Sequence, residues 1–266
     1  DGIISQFAGF ERLEPFPFAD YRRRYGEIRR LDRILEKEGD DPNRYQVSKQ
    51  ADVLMLFYLF STEELQAIFE QLGYVFTPEM IFENICWYME RTVHGSTLSW
   101  LTHAWVLARA DREESWRLAL TALDSDFADL QGGTTPEGIH LGAMAGTVDL
   151  MERCYTGLEI RAHALVFNPH LPSEVARLET TIRYRRQVLD VRVDHETLTI
   201  TSRPTTADPV VVGYRTSARA LGPGQRLTFK LVPEHKLDRA ERVVEQRRVA
   251  ACSRAETGEP TRETTP

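Results

Sequence analysis

Three short segments carry side chains and glycines in patterns suited to chemistry. Gln131-Gly-Gly-Thr-Thr-Pro-Glu-Gly-Ile-His140 joins two glycines, which permit close backbone approach, to Thr135 as a natural helix cap and Pro136 at a first helical position. The exposed amides of that junction, two threonine hydroxyls and His140 one turn further in would together cradle an anion. His94-Gly-Ser-Thr-Leu-Ser99 has the same build, a loop glycine followed by three hydroxyls at the start of an apolar helix. Each segment also reads as an ordinary, well-capped junction of loop and helix. If both open on one cavity, the positive ends of their dipoles add at a single point. In the third segment, Lys49-Gln50 precedes Ala51-Asp52-Val53-Leu54. A lysine beside an amide that both donates and accepts can grip vicinal hydroxyls, and the pair can equally be the polar first turn of a helix. Asp52 at such a start complements the dipole.

The remaining polar residues offer less. Carboxylates are plentiful, yet none form a convincing acid/base pair; Asp124, Asp126 and Asp129 read as a polar helix end. His103 reads as a satisfied core histidine, and His163, His170 and His195 have no partners at metal-ligand spacing. No metal and no cofactor is expected, because neither the spacing of Cys86, Cys154 and Cys252 nor any glycine-rich phosphate motif supports one. The net charge of −7 argues against nucleic acid as main partner. The arginines at 22–24 and at 183, 185 and 186 read as solvated faces. No apolar run approaches the ~20 residues of a membrane span, so no membrane partner is expected. Unpaired cysteines favour a reducing, cytoplasmic location, while the first residues give no targeting information in either direction.

Helices must position these segments. Ser61-Thr-Glu-Glu64 is a capping box before Leu65, Ile68, Phe69 and Leu72, stopped by Gly73. Thr77-Pro78 opens the next helix, and Asp111 with Glu114 opens another. Further helices are expected over residues 48–60, 98–109 and 137–155, several of them apolar round most of their circumference, as in the inner layer of a helical barrel. After Gly157 the period changes from 3.6 to 2. Leu189, Val191 and Val193 alternate, Asp194-His195-Glu196 turns the chain, and Leu198 and Ile200 resume. Val210, Val212 and Tyr214 with Leu227, Phe229 and Leu231 are read as a second strand pair. From His235 the composition turns polar, with a short helix expected over 237–249 and disorder in the last fifteen or so residues.

Several stretches resemble family 65 glycoside hydrolases: Asp1-Gly-Ile-Ile-Ser-Gln-Phe7, Arg44-Tyr-Gln-Val-Ser-Lys-Gln-Ala-Asp-Val53, Arg91-Thr-Val-His-Gly-Ser-Thr-Leu-Ser99 and Gly132-Gly-Thr-Thr-Pro-Glu-Gly-Ile-His-Leu-Gly142. Arg153-Cys-Tyr-Thr-Gly-Leu-Glu159 and Asn168-Pro-His-Leu-Pro172 continue the resemblance. That family includes maltose, trehalose, kojibiose and nigerose phosphorylases and some hydrolases. The resemblance implies a fold that is mainly α plus a small all-β domain. Residues 1–156 would be the second half of an (α/α)6 barrel, 157–233 an antiparallel C-terminal β-sandwich, and 234–266 a disordered polar tail.

By the resemblance, Lys49 and Gln50 bind the glucosyl unit, while Ser96, Thr97, Gly133, Thr134 and His140 form a phosphate pocket. The family's general acid is a glutamate in a Gly-Pro-Asp-Glu-Tyr-His-like motif that this sequence lacks, so no catalytic residue is assigned here. The implied reaction is inverting phosphorolysis of an α-glucosidic disaccharide to β-glucose 1-phosphate and glucose, with this chain inactive by itself. The implied partners are disaccharide, inorganic phosphate and the upstream half of the enzyme; a homodimer is among the expected states of the full-length protein. A hydrolase using Glu137 as base and a non-catalytic carbohydrate-binding module are the alternatives. Relatives often carry glycine where this chain has arginine in Arg183-Tyr-Arg-Arg186.

Overall fold

The computed structural model describes residues 2–50, 52–108, 111–130, 132–133, 135–161, 163–215 and 217–232, apart from the side chain of Glu137. The polar tail, its expected helix and Thr134 lie outside the described residues. The chain divides into two compact units, one running to Met144 and the other starting at Ala145.

The first unit is helical. Its elements are α1 (Phe18–Tyr25), α2 (Leu31–Glu38), α3 (Asp52–Leu59), α4 (Thr62–Gln71), α5 (Pro78–Met89), α6 (Thr97–Leu107), α7 (Arg112–Asp124) and the start of α8 (Leu141–Asp149). The capping box forms as expected: Glu64 N–H donates to Ser61 Oγ at 3.2 Å, and Ser61 N–H to Glu64 Oε2 at 2.8 Å. Pro78 opens α5, and Asp111 accepts the Glu114 amide at the head of α7. The apolar helix α6 is central, with Trp100, Leu101, Ala104 and Leu107 buried, and it packs against α3 and α7. A second cluster of Phe16, Tyr21, Ile28, Leu31, Leu35 and Val93 joins α1 and α2 to the strand-like segment before α6.

Two helix starts differ from expectation. Residues 48–50 were expected to be helical but lie outside α3, which is described from Asp52. Ser48 is instead extended, donating its N–H to Arg91 O at 2.7 Å and accepting from Val93 N at 2.9 Å. Residues 137–140 were likewise expected in a helix. Thr135–Glu137 forms a separate 3-10 turn, α8 starts at Leu141, and its last turns, Leu150–Tyr155, widen to a π-helix.

The second unit is mostly β. One sheet has the order β1 (Glu159–Arg161), β2 (Ala164–Phe167), β6 (Val210–Tyr214), β7 (Ser217–Leu221); the other has β3 (Arg177–Tyr184), β4 (Gln187–Asp194), β5 (Thr197–Ser202), β8 (Arg226–Lys230). Leu189, Val191, Val193, Leu198 and Ile200 all point inward, as their alternation requires. Two expectations are corrected. The sheets are not purely antiparallel, since β2 and β6 run parallel. The strands of Val210 and Leu227 are not a pair either: β6 pairs with β7, and β8 with β5. Tyr214 of β6 and Phe229 of β8 meet across the core, with ring centroids 6.5 Å apart.

Gly157 is required where the two resembling segments of this unit meet. Its φ is 60°, and a Cβ there would lie 2.0 Å from the carbonyl oxygen of Asn168. Asn168 N–H donates to Gly157 O, and His170 N–H to Tyr155 O.

Candidate functional site

The extended segment at 48–50 positions the first candidate residues. Ser48 bridges to Thr92, and Gly95 N–H donates to Lys49 O at 2.9 Å, so Lys49 and Gln50 are carried on backbone pinned to the approach of α6. Gly95 is glycine because the chains pass so closely. A Cβ there would come within 2.8 Å of Arg29 O and of Lys49 Cγ. A cavity of about 550 Å³ opens beside this junction, and its lining includes Lys49, Gln50 and Ser96 together. These three were expected at the site. Thr97 is also at the head of α6, but it is buried and does not line the cavity.

Six further described residues line the cavity; of these Asp52 was read in the sequence only as a charge at a helix start, and Gln6, Phe7 and Ser48 were not read as part of a site. Gln6 Nε2 donates to Asp52 Oδ2 at 3.3 Å, while its Oε1 accepts from Val53 N at 3.4 Å. Gln50 Nε2 donates to Asp52 Oδ1 at 3.0 Å, so Asp52 gathers two amide side chains at the start of α3. Ser48 Oγ is buried with no hydrogen-bond partner, and Phe7, 54% exposed, adds an apolar face. Ammonium, amides, carboxylate and hydroxyls beside an aromatic ring are the mixture that recognises a polyhydroxylated ring. Ser96 caps α6 in extended conformation; its carbonyl accepts from Ser99 N–H at 3.1 Å, while its hydroxyl makes no cap bond to the helix amides.

The loop between α7 and α8 is arranged differently from expectation. The cradle amides are not open. Gly133 N–H donates to Asp129 Oδ2 at 2.7 Å and Thr135 N–H to Asp129 Oδ1 at 3.2 Å. Thr135 Oγ1 donates to Asp126 O at 2.9 Å. The His140 amide donates to Asp126 Oδ2 at 2.9 Å, and Asp126 Oδ1 lies 2.5 Å from His140 Nδ1. The aspartates read as a polar helix end thus fill the anion-binding positions themselves. Their spacing, two carboxylates a few residues before a Gly-Gly turn, was the available signal. Hydrogen bonding by His140 holds the Asp126 carboxyl below the usual carboxylate range. His140 precedes α8 rather than lying one turn inside it, and it receives the first helical bond from Met144 N.

Gly133 and His140 do not line the cavity of Ser96. Arg29 connects the two regions: its Nη1 donates to Leu130 O at 3.2 Å, and its guanidinium lies 5.1 Å from the Trp100 ring on α6. Among the described residues no group of His, Cys, Asp and Glu could hold a metal, and no helix is long and apolar enough to cross a membrane.

Residues 1–149, more than half of the chain, match the glycosyl hydrolase family 65 central catalytic domain. The chain belongs to glycosyl hydrolase family 65. Residues 158–214 match the C-terminal domain of the same family. The fold is accordingly a partial family 65 barrel followed by the β domain. An uncharacterized glycosyl hydrolase of Mycobacterium tuberculosis is 48% identical over 227 residues, covering 85% of this chain and 17% of that protein. The trehalose 6-phosphate phosphorylase of Lactococcus lactis is 35% identical over 203 residues, 76% of this chain and 26% of the relative. The kojibiose phosphorylase of Caldanaerobacter subterraneus is 30% identical over 200 residues, 74% and 24% of the two chains. The chain therefore spans about a quarter or less of each of these relatives. A solved protein from the human microbiome shares the fold, with a TM-score of 0.68 at 22% identity over 86% of this chain and 29% of its own.

Proposed function

We propose that this family 65 chain is the C-terminal part of an inverting disaccharide phosphorylase. In this reading residues 1–156 complete a catalytic barrel, 157–233 form the C-terminal β domain, and the general acid comes from the upstream half. The carrying observation is the cavity that brings Lys49 and Gln50, on the segment before α3, together with Ser96 at the head of α6. Lys49 and Gln50 hold the glucosyl unit, with Gln6 and Asp52 behind them. Ser96, Thr97 and His140, with Thr134 as the resemblance implies, hold phosphate on the face opposite the leaving group. The Gly133 amide, already bonded to Asp129, shapes the loop rather than donating to phosphate.

Inversion requires one acid at the glycosidic oxygen and a nucleophile on the other face. Phosphate is already nucleophilic at neutral pH, so that face needs positioning and charge compensation rather than a base. The imidazole of His140 and the hydroxyls at the head of α6 are such groups. The substrate is an α-glucoside of glucose, giving β-glucose 1-phosphate.

The test is to join or mix the chain with an upstream family 65 catalytic segment. Release of β-glucose 1-phosphate from maltose, trehalose, kojibiose, nigerose and trehalose 6-phosphate is then measured with and without phosphate. Phosphate-dependent release from the assembly and none from the chain alone is expected. Turnover by the chain alone would overturn the assignment of the acid upstream. Glucose release without phosphate would replace this reading with hydrolysis and point to Glu137.

A further inference from the structure

We infer that Asp126 is a positioning residue that fixes the tautomer and orientation of His140, so that the imidazole meets phosphate through Nε2 alone. The inference rests on the phosphate role proposed for His140. Asp126 follows the end of α7 and is buried, with only 6% of its surface exposed. Both of its oxygens are committed to one residue: Oδ2 accepts the His140 backbone N–H at 2.9 Å, and Oδ1 lies 2.5 Å from Nδ1. An ionised carboxylate can only accept, so Nδ1 must carry the proton of the neutral ring and Nε2 keeps the lone pair. The double attachment fixes the ring to its own backbone, leaving the His140 side chain 34% exposed.

The surrounding loop is built to hold this pair still. Asp129 takes the amides of Gly133 and Thr135, and the Thr135 hydroxyl bonds to both Asp126 O and Asp129 Oδ1. The His140 carbonyl accepts from Met144, which ties the pair to α8. With Nδ1–H occupied, Nε2 can accept from a phosphate hydroxyl or, once protonated, donate to a phosphate oxygen. In either state Asp126 compensates the ring, the arrangement by which a carboxylate behind a histidine orients it elsewhere.

Replacing Asp126 by Asn makes a distinctive change. One oxygen now faces two donors, so an amide oxygen placed on the His140 N–H turns the NH2 group toward Nδ1. The ring is forced into the Nε2–H form. Two-bond 15N–1H correlation spectra of the histidine-labelled chain report the tautomer directly, with His140 assigned by its loss in His140→Ala. The wild type should show Nδ1–H, and Asp126→Asn should show Nε2–H.

In the chain assembled with its upstream catalytic segment, Asp126→Asn should raise the phosphate KM about 10- to 100-fold, the usual cost of removing such an orienting partner. The disaccharide KM should stay within about twofold. An Nε2–H tautomer in the wild type overturns the inference, a measurement that does not depend on the folding of Asp126→Asn. So does an Asp126→Asn protein with unchanged phosphate KM, or with both KM values raised alike. Unchanged phosphate KM in His140→Ala overturns the phosphate reading itself, and is distinguished because that variant leaves Asp126 in place.

Discussion

The rings of His94 and His103 meet edge to face in the first unit, centroids 4.6 Å apart at 68°. His103 is fully buried; its Nδ1 donates to Ser99 O at 2.7 Å, while Nε2 has no partner. Desolvation lowers the His103 pKa from 6.5 to about 4, and burial followed by the neighbouring His103 holds that of His94 well below its ordinary value. Between pH 6.5 and about 4 the unfolded chain binds a proton at position 103 that the folded chain refuses. Stability must therefore fall as pH falls through that window, by on the order of 3 kcal/mol for His103. Urea unfolding at pH 7 and pH 5 measures this. His103→Phe should flatten the acid limb, and an unaltered slope in that variant would place its cause elsewhere.

Gly95→Ala should destabilise the first unit by about 1–3 kcal/mol, since its new methyl meets the backbone oxygen of Arg29. The same methyl presses on the Lys49 stem. In the assembled enzyme the disaccharide KM should rise with it. Denaturation midpoints and KM values together check both effects, and wild-type values for the two would show that the junction has room to spare.

The turn joining β3 to β4 runs through Arg185 and Arg186, with φ of 45° and 66°. Tyr184 and Gln187 face each other across it, a two-residue hairpin that prefers Asn-Gly. Arg186→Gly should stabilise the chain by about 1 kcal/mol, the left-handed strain it removes. A lower melting temperature for this variant would show that the Arg186 side chain contributes more than its backbone costs.

Lys49→Ala should weaken disaccharide binding by about 1.5–3 kcal/mol, as expected when a charged hydrogen-bond partner is lost. Gln6→Ala, which also releases Asp52 and the Val53 amide, should raise the disaccharide KM roughly tenfold, a cost near 1.4 kcal/mol. Phosphate KM should barely move in either. A sugar KM unaffected by Gln6→Ala would remove that residue from the site.

Much of the architecture was legible locally. Ser61 with Glu64, Thr77 with Pro78, and Asp111 with Glu114 mark helix starts because a cap and the amide it satisfies lie within one turn of sequence. The alternation from Leu189 to Ile200 marks two strands for a similar reason, since side-chain direction repeats every second residue. Lys49, Gln50 and Ser96 stood out by residue type, but type alone read equally as helix starts, and only the family resemblance singled them out as a candidate site.

Tertiary structure decided what depended on distant partners. Ser48 leaves the helix because Arg91 and Val93 offer it backbone bonds some forty residues away. Strand β6 takes β2 and β7 as neighbours because both sheets must close over one apolar core, which no local pattern specifies. The anion cradle looked open because its donors are adjacent in sequence. Which acceptor fills them depended on how the chain turns after α7, bringing Asp126 and Asp129 back to His140, Gly133 and Thr135. Residue types set which bonds could form; the path of the chain settled which of them did.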